Sequence, residues 1–189
     1  MKSRSYKGAD KHAEGVIRRA SDENRNLRDD EVLNCLRQLP FTENKLRRNV
    51  IPNGVPHVYS QCAGLTTLQR GQGSTVSRTA RKCPNVVRVL TLFLRQAERR
   101  AEAEGMKDDS LEQLEYLHGR FPFTSITINY NYAAKPHRDS SHIDGRARII
   151  ALGEFTGGEL IVEQGGAHPV RSSWVDFDGR LLHHVVSFC

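Results

Sequence analysis

A chain of 189 residues, 38% of them hydrophobic and 26% charged, has the length and composition of one globular domain with extensions. No uninterrupted apolar run approaches the roughly 20 residues of a membrane-spanning helix, which excludes an integral membrane protein of that kind. A net charge of +6 favours acidic partners, nucleic acid among them, without choosing between them.

The opening residues, "MKSRSYKGADKHAEGVIRRAS", lack the continuous apolar segment of a secretory signal. Cytoplasm or nucleus is the expected compartment, and the basic residues leave organelle targeting open. Residues 1–28 are rich in Arg, Lys, Asp, Asn and Ser with few large apolar groups, so they are expected to form a mobile basic arm. From Asp29 the pattern changes. Val32, Leu33, Leu36 and Leu39 fall at helical spacing, three acids occupy the first turn, and Pro40 helps end the run. The stretch from Pro52 to Lys82 is rich in Gly, Ser and Thr. Its segment "RGQGSTVSRTARK" carries Arg70, Arg78, Arg81 and Lys82 without an acid. Because Gly71-Gln72-Gly73 lacks the Lys-Ser/Thr ending of a phosphate-binding loop, a flexible basic surface loop is expected there.

"PNVVRVLTLFLRQAERRAEAEG" predicts the clearest helix, with Val86, Val87, Leu90, Phe93, Leu94 and Ala97 as its apolar stripe, Pro84 near its start and Gly105 at its end. A further helix is expected over "SLEQLEYLHGR", capped by Ser110. Residues 29–120 thus read as a helical support region. From Phe121 the grammar switches to short strands: "FTSITINYNY", "RARIIALGEF", "ELIVEQ", "HPVRS", "WVDFD" and "LLHHVVSF", separated by Gly and Asp turns. Such a series without intervening helices predicts an antiparallel sandwich or barrel over residues 121–189. Cys35, Cys62, Cys83 and Cys189 form no CxxC pair, so they are expected to be reduced thiols rather than zinc ligands or disulfides.

The chemistry concentrates in "KPHRDSSHIDGRARIIALGEFTGGELIV". Residues two apart on a strand share a face, so His137 and Asp139 present an imidazole and a carboxylate side by side, half of a divalent-metal site. A facial triad of two imidazoles and one carboxylate needs another His, and "DGRLLHHVVSF" offers His183 and His184. A kinase catalytic loop is excluded on spacing, because Asp144 stands where its Asn is required.

The order of these segments, "INYNYAAKPHRD", then "RIIALGEFTGGELIV", then "WVDFDGRLLHHVVSF", resembles the Fe(II)/2-oxoglutarate-dependent dioxygenases of the prolyl-hydroxylase-like double-stranded β-helix class. The resemblance covers residues 121–189. It implies an α+β protein in which a jelly-roll, cupin-like core is buttressed by N-terminal helices. It implies His137 and Asp139 as proximal iron ligands and His183 as the distal one, with His184 the competing candidate on the opposite face. Iron would be Fe(II), 2-oxoglutarate and O2 the co-substrates, and ascorbate a supportive reductant. The implied reaction is a hydroxylation coupled to decarboxylation of 2-oxoglutarate, on a protein side chain or a nucleic-acid base. Tyr130 and Asn129 are candidates for contacting 2-oxoglutarate.

One feature departs from that pattern. The resembling enzymes carry an Arg on the strand after the distal His to hold the far carboxylate of 2-oxoglutarate, a natural bidentate pairing. Here the sequence stops at Cys189, so the last strand is expected to be missing, with Arg148 or Arg146 as substitute. A rival expectation is a truncated, inactive oxygenase-like domain serving as a binding module. Gly157-Gly158 is expected to form a tight strand connection at positive φ, with no catalytic role.

Overall fold

The computed structural model describes residues 4–67, 73–103, 121, 123–139 and 145–189. The fold is α+β, with four helices and several antiparallel sheets, none of them closed among the described residues. No helix among these residues is long and apolar enough to cross a membrane. The chain divides into two interleaved compact units, Met1–Pro40 with Cys62–Thr127, and Phe41–Gln61 with Ile128–Cys189.

The first unit holds the helices α1 (Tyr6–Asp22), α2 (Asp29–Arg37), α3 (Arg78–Lys82) and α4 (Pro84–Ala103). Helix α1 corrects the expectation of a mobile arm. Ser5 caps it, its Oγ accepting the Gly8 N–H at 3.1 Å, and Ala9, Ala13, Val16 and Ala20 form its buried stripe against α4 and α2. Alanine has the highest helix propensity and loses no side-chain entropy, so small residues at helical spacing suffice. Asp10 of α1 also accepts the Asn85 backbone N–H at 2.7 Å, satisfying a free donor in the first turn of α4.

Helix α2 forms where its acids and apolar spacing place it. Its Glu31 accepts the Arg28 backbone N–H at 3.2 Å and two bonds from Arg25 at 2.8 and 2.9 Å. Helix α4 buries Val86, Val89, Phe93 and Leu94 together with Gln96. The Gln96 side-chain oxygen accepts the Leu27 N–H at 2.9 Å, the reason a polar residue sits in that stripe. The expected helix over residues 110–120 lies outside the described residues.

The stretch expected as a basic loop contains structure at both ends. β2 (Val58–Thr67) pairs with β3 (Ser74–Val76) in the register Leu65↔Val76, and Ser77 then caps α3. Residues 68–72 lie outside the described set. All four cysteines are free.

The second unit begins with β1 (Glu43–Asn44), paired with β2 at Glu43↔Tyr59. It continues through β4 (Ser125–Tyr130), which also lies on β2. Beyond them come β5 (Arg146–Ile149), β6 (Leu160–Val162), β7 (Gly166–His168), β8 (Val175–Asp178) and β9 (His183–Val185). β5 pairs with β8, while β6 lies between β7 and β9. Leu160, Val162 and Val170 form the core here, with Ile149, Val175 and Phe177 packed against them. Gly157 and Gly158 take φ of 78° and 79° as their sequence implies. A side chain on Gly157 would meet the Ser187 carbonyl oxygen at 2.5 Å.

Candidate metal centre

Two backbone hydrogen bonds create the centre. The His137 N–H donates to the His183 carbonyl at 3.0 Å and the His183 N–H to the His137 carbonyl at 2.9 Å. This antiparallel bridge brings residues 46 positions apart in sequence face to face. Asp139 is fixed by its N–H, which donates to the Gly179 carbonyl at 2.8 Å. His137, Asp139 and His183 each offer a ligand atom, and these atoms lie within 4.8 Å of one another. Nε2 of His137 stands 3.7 Å from Asp139 Oδ1, and Nε2 of His183 stands 3.9 Å from Oδ2.

His183 rather than His184 joins the group because the strand decides. In the β6–β9 register His183 lies opposite Val162 and Val185 opposite Leu160, both core residues, whereas His184 lies opposite Ile161 on the other face. The Phe177 ring meets His183 edge-on with centroids 4.9 Å apart, holding the imidazole in place.

The main chain also sets which nitrogen of each histidine is free. His137 Nδ1 bonds the Lys135 carbonyl at 2.8 Å and His183 Nδ1 bonds the Leu181 carbonyl at 2.9 Å. A carbonyl only accepts, so both Nδ1 atoms carry the proton and both Nε2 lone pairs point toward Asp139. Burial, opposed by the Lys135 bond, pushes the His137 pKa below its ordinary 6.5, with the charges of His183 and Arg47 acting in the same direction. At neutral pH His137 is thus a neutral ligand and need not release a proton to bind a cation.

Arg138, between the two motif residues, was not singled out in the sequence. Its guanidinium donates to Glu163 Oε2 at 2.6 Å and to the Arg180 carbonyl at 2.9 Å. Glu163 in turn accepts the Leu182 N–H at 3.3 Å, and that bond and Arg138 together hold its carboxyl below the usual range. Arg138 therefore ties the motif to the end of β6 and to the turn before β9.

The residues considered for 2-oxoglutarate separate. Arg148 pairs with Asp176 across the β5–β8 ladder. Strand alternation puts that pair on the face opposite Phe177, which touches His183. Asn129 and Tyr130 also point apart. Tyr130 stacks on Phe41 at 5.3 Å and meets Tyr59 edge-on at 6.3 Å. Asn129 joins Ser60 and Tyr132 on the other face, its Oδ1 accepting their hydroxyls at 3.0 and 2.8 Å. Asn131 at φ 50° breaks the alternation and returns Tyr132 to that face.

No protein-family model, curated protein or solved structure matches the chain. The centre is therefore judged on its donor set. Two imidazoles and one carboxylate, brought together by a single antiparallel bridge, suit a divalent transition metal bound on one face with its remaining positions open.

Proposed function

We propose that this protein is an Fe(II)- and 2-oxoglutarate-dependent dioxygenase. The observation that carries the reading is the His137–Asp139–His183 group with both Nε2 lone pairs turned inward. The nested strand pairings support it. β6–β7 lies inside β5–β8, and both lie inside the His137↔His183 bridge, the order produced when a long hairpin is rolled into a jelly roll.

Bound Fe(II) would supply oxidative decarboxylation of 2-oxoglutarate coupled to substrate oxidation. The chain's own part is to hold three ligands rigidly, to keep the His137 imidazole neutral by burial, and to leave one face accessible. Asp139, whose side chain is 25% exposed, lies on the open side of the centre, whereas the two histidine side chains are 8% and 6% exposed. A protein side chain or a nucleic-acid base is the proposed substrate class.

Anaerobic titration of the purified chain with Fe(II), with and without 2-oxoglutarate, tests the reading. The expected result is a visible charge-transfer band that needs both components, disappears in His137→Ala, Asp139→Ala and His183→Ala, and persists in His184→Ala. On admission of O2, succinate should form. Fe(II) binding to which 2-oxoglutarate adds nothing would overturn the oxygenase reading and favour a metal-holding binding module.

A further inference from the structure

The inference concerns the helical unit and stands apart from the metal centre. On α4, Arg88, Leu92, Gln96 and Arg99 recur at helical spacing and share one face. On α1, Ile17, Ala20 and Ser21 do the same, and α1 packs along α4. Both sets line a cavity of about 530 Å³, a volume in the range of small-molecule sites.

The lining offers donors and no carboxylate. Its cations are Arg25, Arg88 and Arg99, and no Asp or Glu lines it among the described residues. Arg25 is already compensated by Glu31, bonded at 2.8 and 2.9 Å, and by Glu23. Arg88 and Arg99 have no hydrogen-bond or ion-pair partner among the described residues, so both guanidinium forks stand open. Gln96 adds a buried donor. The residue is 9% exposed, and its Oε1 accepts the Leu27 N–H at 2.9 Å. That bond fixes which amide atom is the oxygen and leaves the amide nitrogen without a protein acceptor among the described residues. Its acceptor must come from what fills the cavity. Arg88 and Arg99 are three turns apart, about 16 Å along the helix axis, with Gln96 between them. A lone phosphate would satisfy one fork, whereas a chain of linked phosphates presents acceptor oxygens to both forks and to the amide. No aromatic ring lines the cavity among the described residues, so there is no platform for stacked bases, which favours a free oligophosphate over a nucleic-acid strand.

We infer that the cavity between α1 and α4 binds a small molecule carrying linked phosphate groups, held by Arg88 and Arg99 toward its two ends and by the Gln96 amide between them. Ile17 and Leu92, both half-buried, form the apolar part of the lining, against which the rest of such a molecule packs.

Isothermal titration calorimetry of the full chain in divalent-free buffer tests this, with inorganic tripolyphosphate as probe and orthophosphate as comparison. Tripolyphosphate should bind about ten-fold more tightly than orthophosphate, the factor expected when a second charged fork is engaged. Arg88→Gln and Arg99→Gln should each weaken it by about ten-fold without lowering the melting temperature, since both side chains are exposed. Arg18→Gln removes an equal charge from the exposed surface of α1 outside the lining, and should change the affinity by less than about two-fold. Absence of tripolyphosphate binding, or an equal loss in Arg18→Gln and the two lining variants, overturns the inference. So does a fluorescein-labelled single-stranded oligonucleotide that binds more tightly than tripolyphosphate and weakens in the same two variants, because the arginines would then be contacting a nucleic-acid backbone. The readout needs no metal, so failure here leaves the oxygenase reading untouched.

Discussion

At the residue scale, the site is a case in which spacing gives the candidate ligands and the main chain gives their orientation. HxD spacing made His137 and Asp139 legible, and the two adjacent histidines near the chain's end offered the third position. What spacing cannot reveal is an acceptor two residues upstream, such as the Lys135 carbonyl that holds His137 Nδ1. Spacing likewise does not show that Arg148 faces Asp176 directly across the ladder. Arg138 was overlooked as the unspecified middle of a motif. Replacing it by Ala is expected to change stability little, since both partners are half exposed. Fe(II) affinity, measured by competition with a chelator, should nevertheless fall by about ten-fold, the usual size for loss of a group that orients ligands.

Glu31 supplies a pH dependence at the same scale. Hydrogen bonds from Arg25, and then from the Arg28 backbone, hold its carboxyl below the ordinary 4.5. With the folded value below the unfolded one, the stabilisation is complete above about 4.5 and is lost as pH falls through the folded value. Glu31→Gln should therefore cost about 1–2 kcal/mol at pH 7 and progressively less below pH 4.5, as urea unfolding at pH 7 and pH 3 would report.

At the scale of elements, α2, α4 and the strands after residue 121 were legible because large apolar residues recur at the right period. Helix α1 was not, because its buried stripe is three alanines and a valine among many charges, and a search for large side chains passes over it. β2 was hidden by its Gly, Ser and Thr content, although Val58 and Ala63 are buried. The two readings of the N-terminus make opposite forecasts. A mobile arm can be deleted at no cost, whereas α1 covers α4 and supplies Asp10 to its first turn. Deleting residues 1–28 should remove several kcal/mol, on the order of the burial of Val16, Leu27 and three alanines, and should show as a lower melting temperature or an insoluble product.

At the scale of the whole molecule, chain order and spatial order diverge. Residues 41–61 leave the helical unit to join the strands that follow residue 128, and nothing in local periodicity announces such an exchange. The α+β class and the antiparallel pairings could be read in advance from the change of grammar at Phe121. The division into units could not, because it depends on which distant strands find each other. Metal binding should act across the sequence in the same way, since the His137↔His183 bridge joins residues 46 positions apart. Saturating the centre with Fe(II), or with Mn(II) as an air-stable substitute, at about a hundred times its dissociation constant should raise stability by roughly 2.7 kcal/mol. Thermal melting with His183→Ala as control would measure the shift.

The bonds from His137 and His183 to the carbonyls of Lys135 and Leu181 carry one more consequence. Because no side chain fixes either tautomer, substitutions at Lys135 or Leu181 leave the proton's address unchanged, and those positions are free to drift. The centre would be vulnerable instead to changes of path, and Pro136, whose ring fixes φ between Lys135 and His137, is the place where an otherwise innocuous replacement would swing the carbonyl away. Such a lesion would silence the site while every residue that touches the metal remained in the sequence.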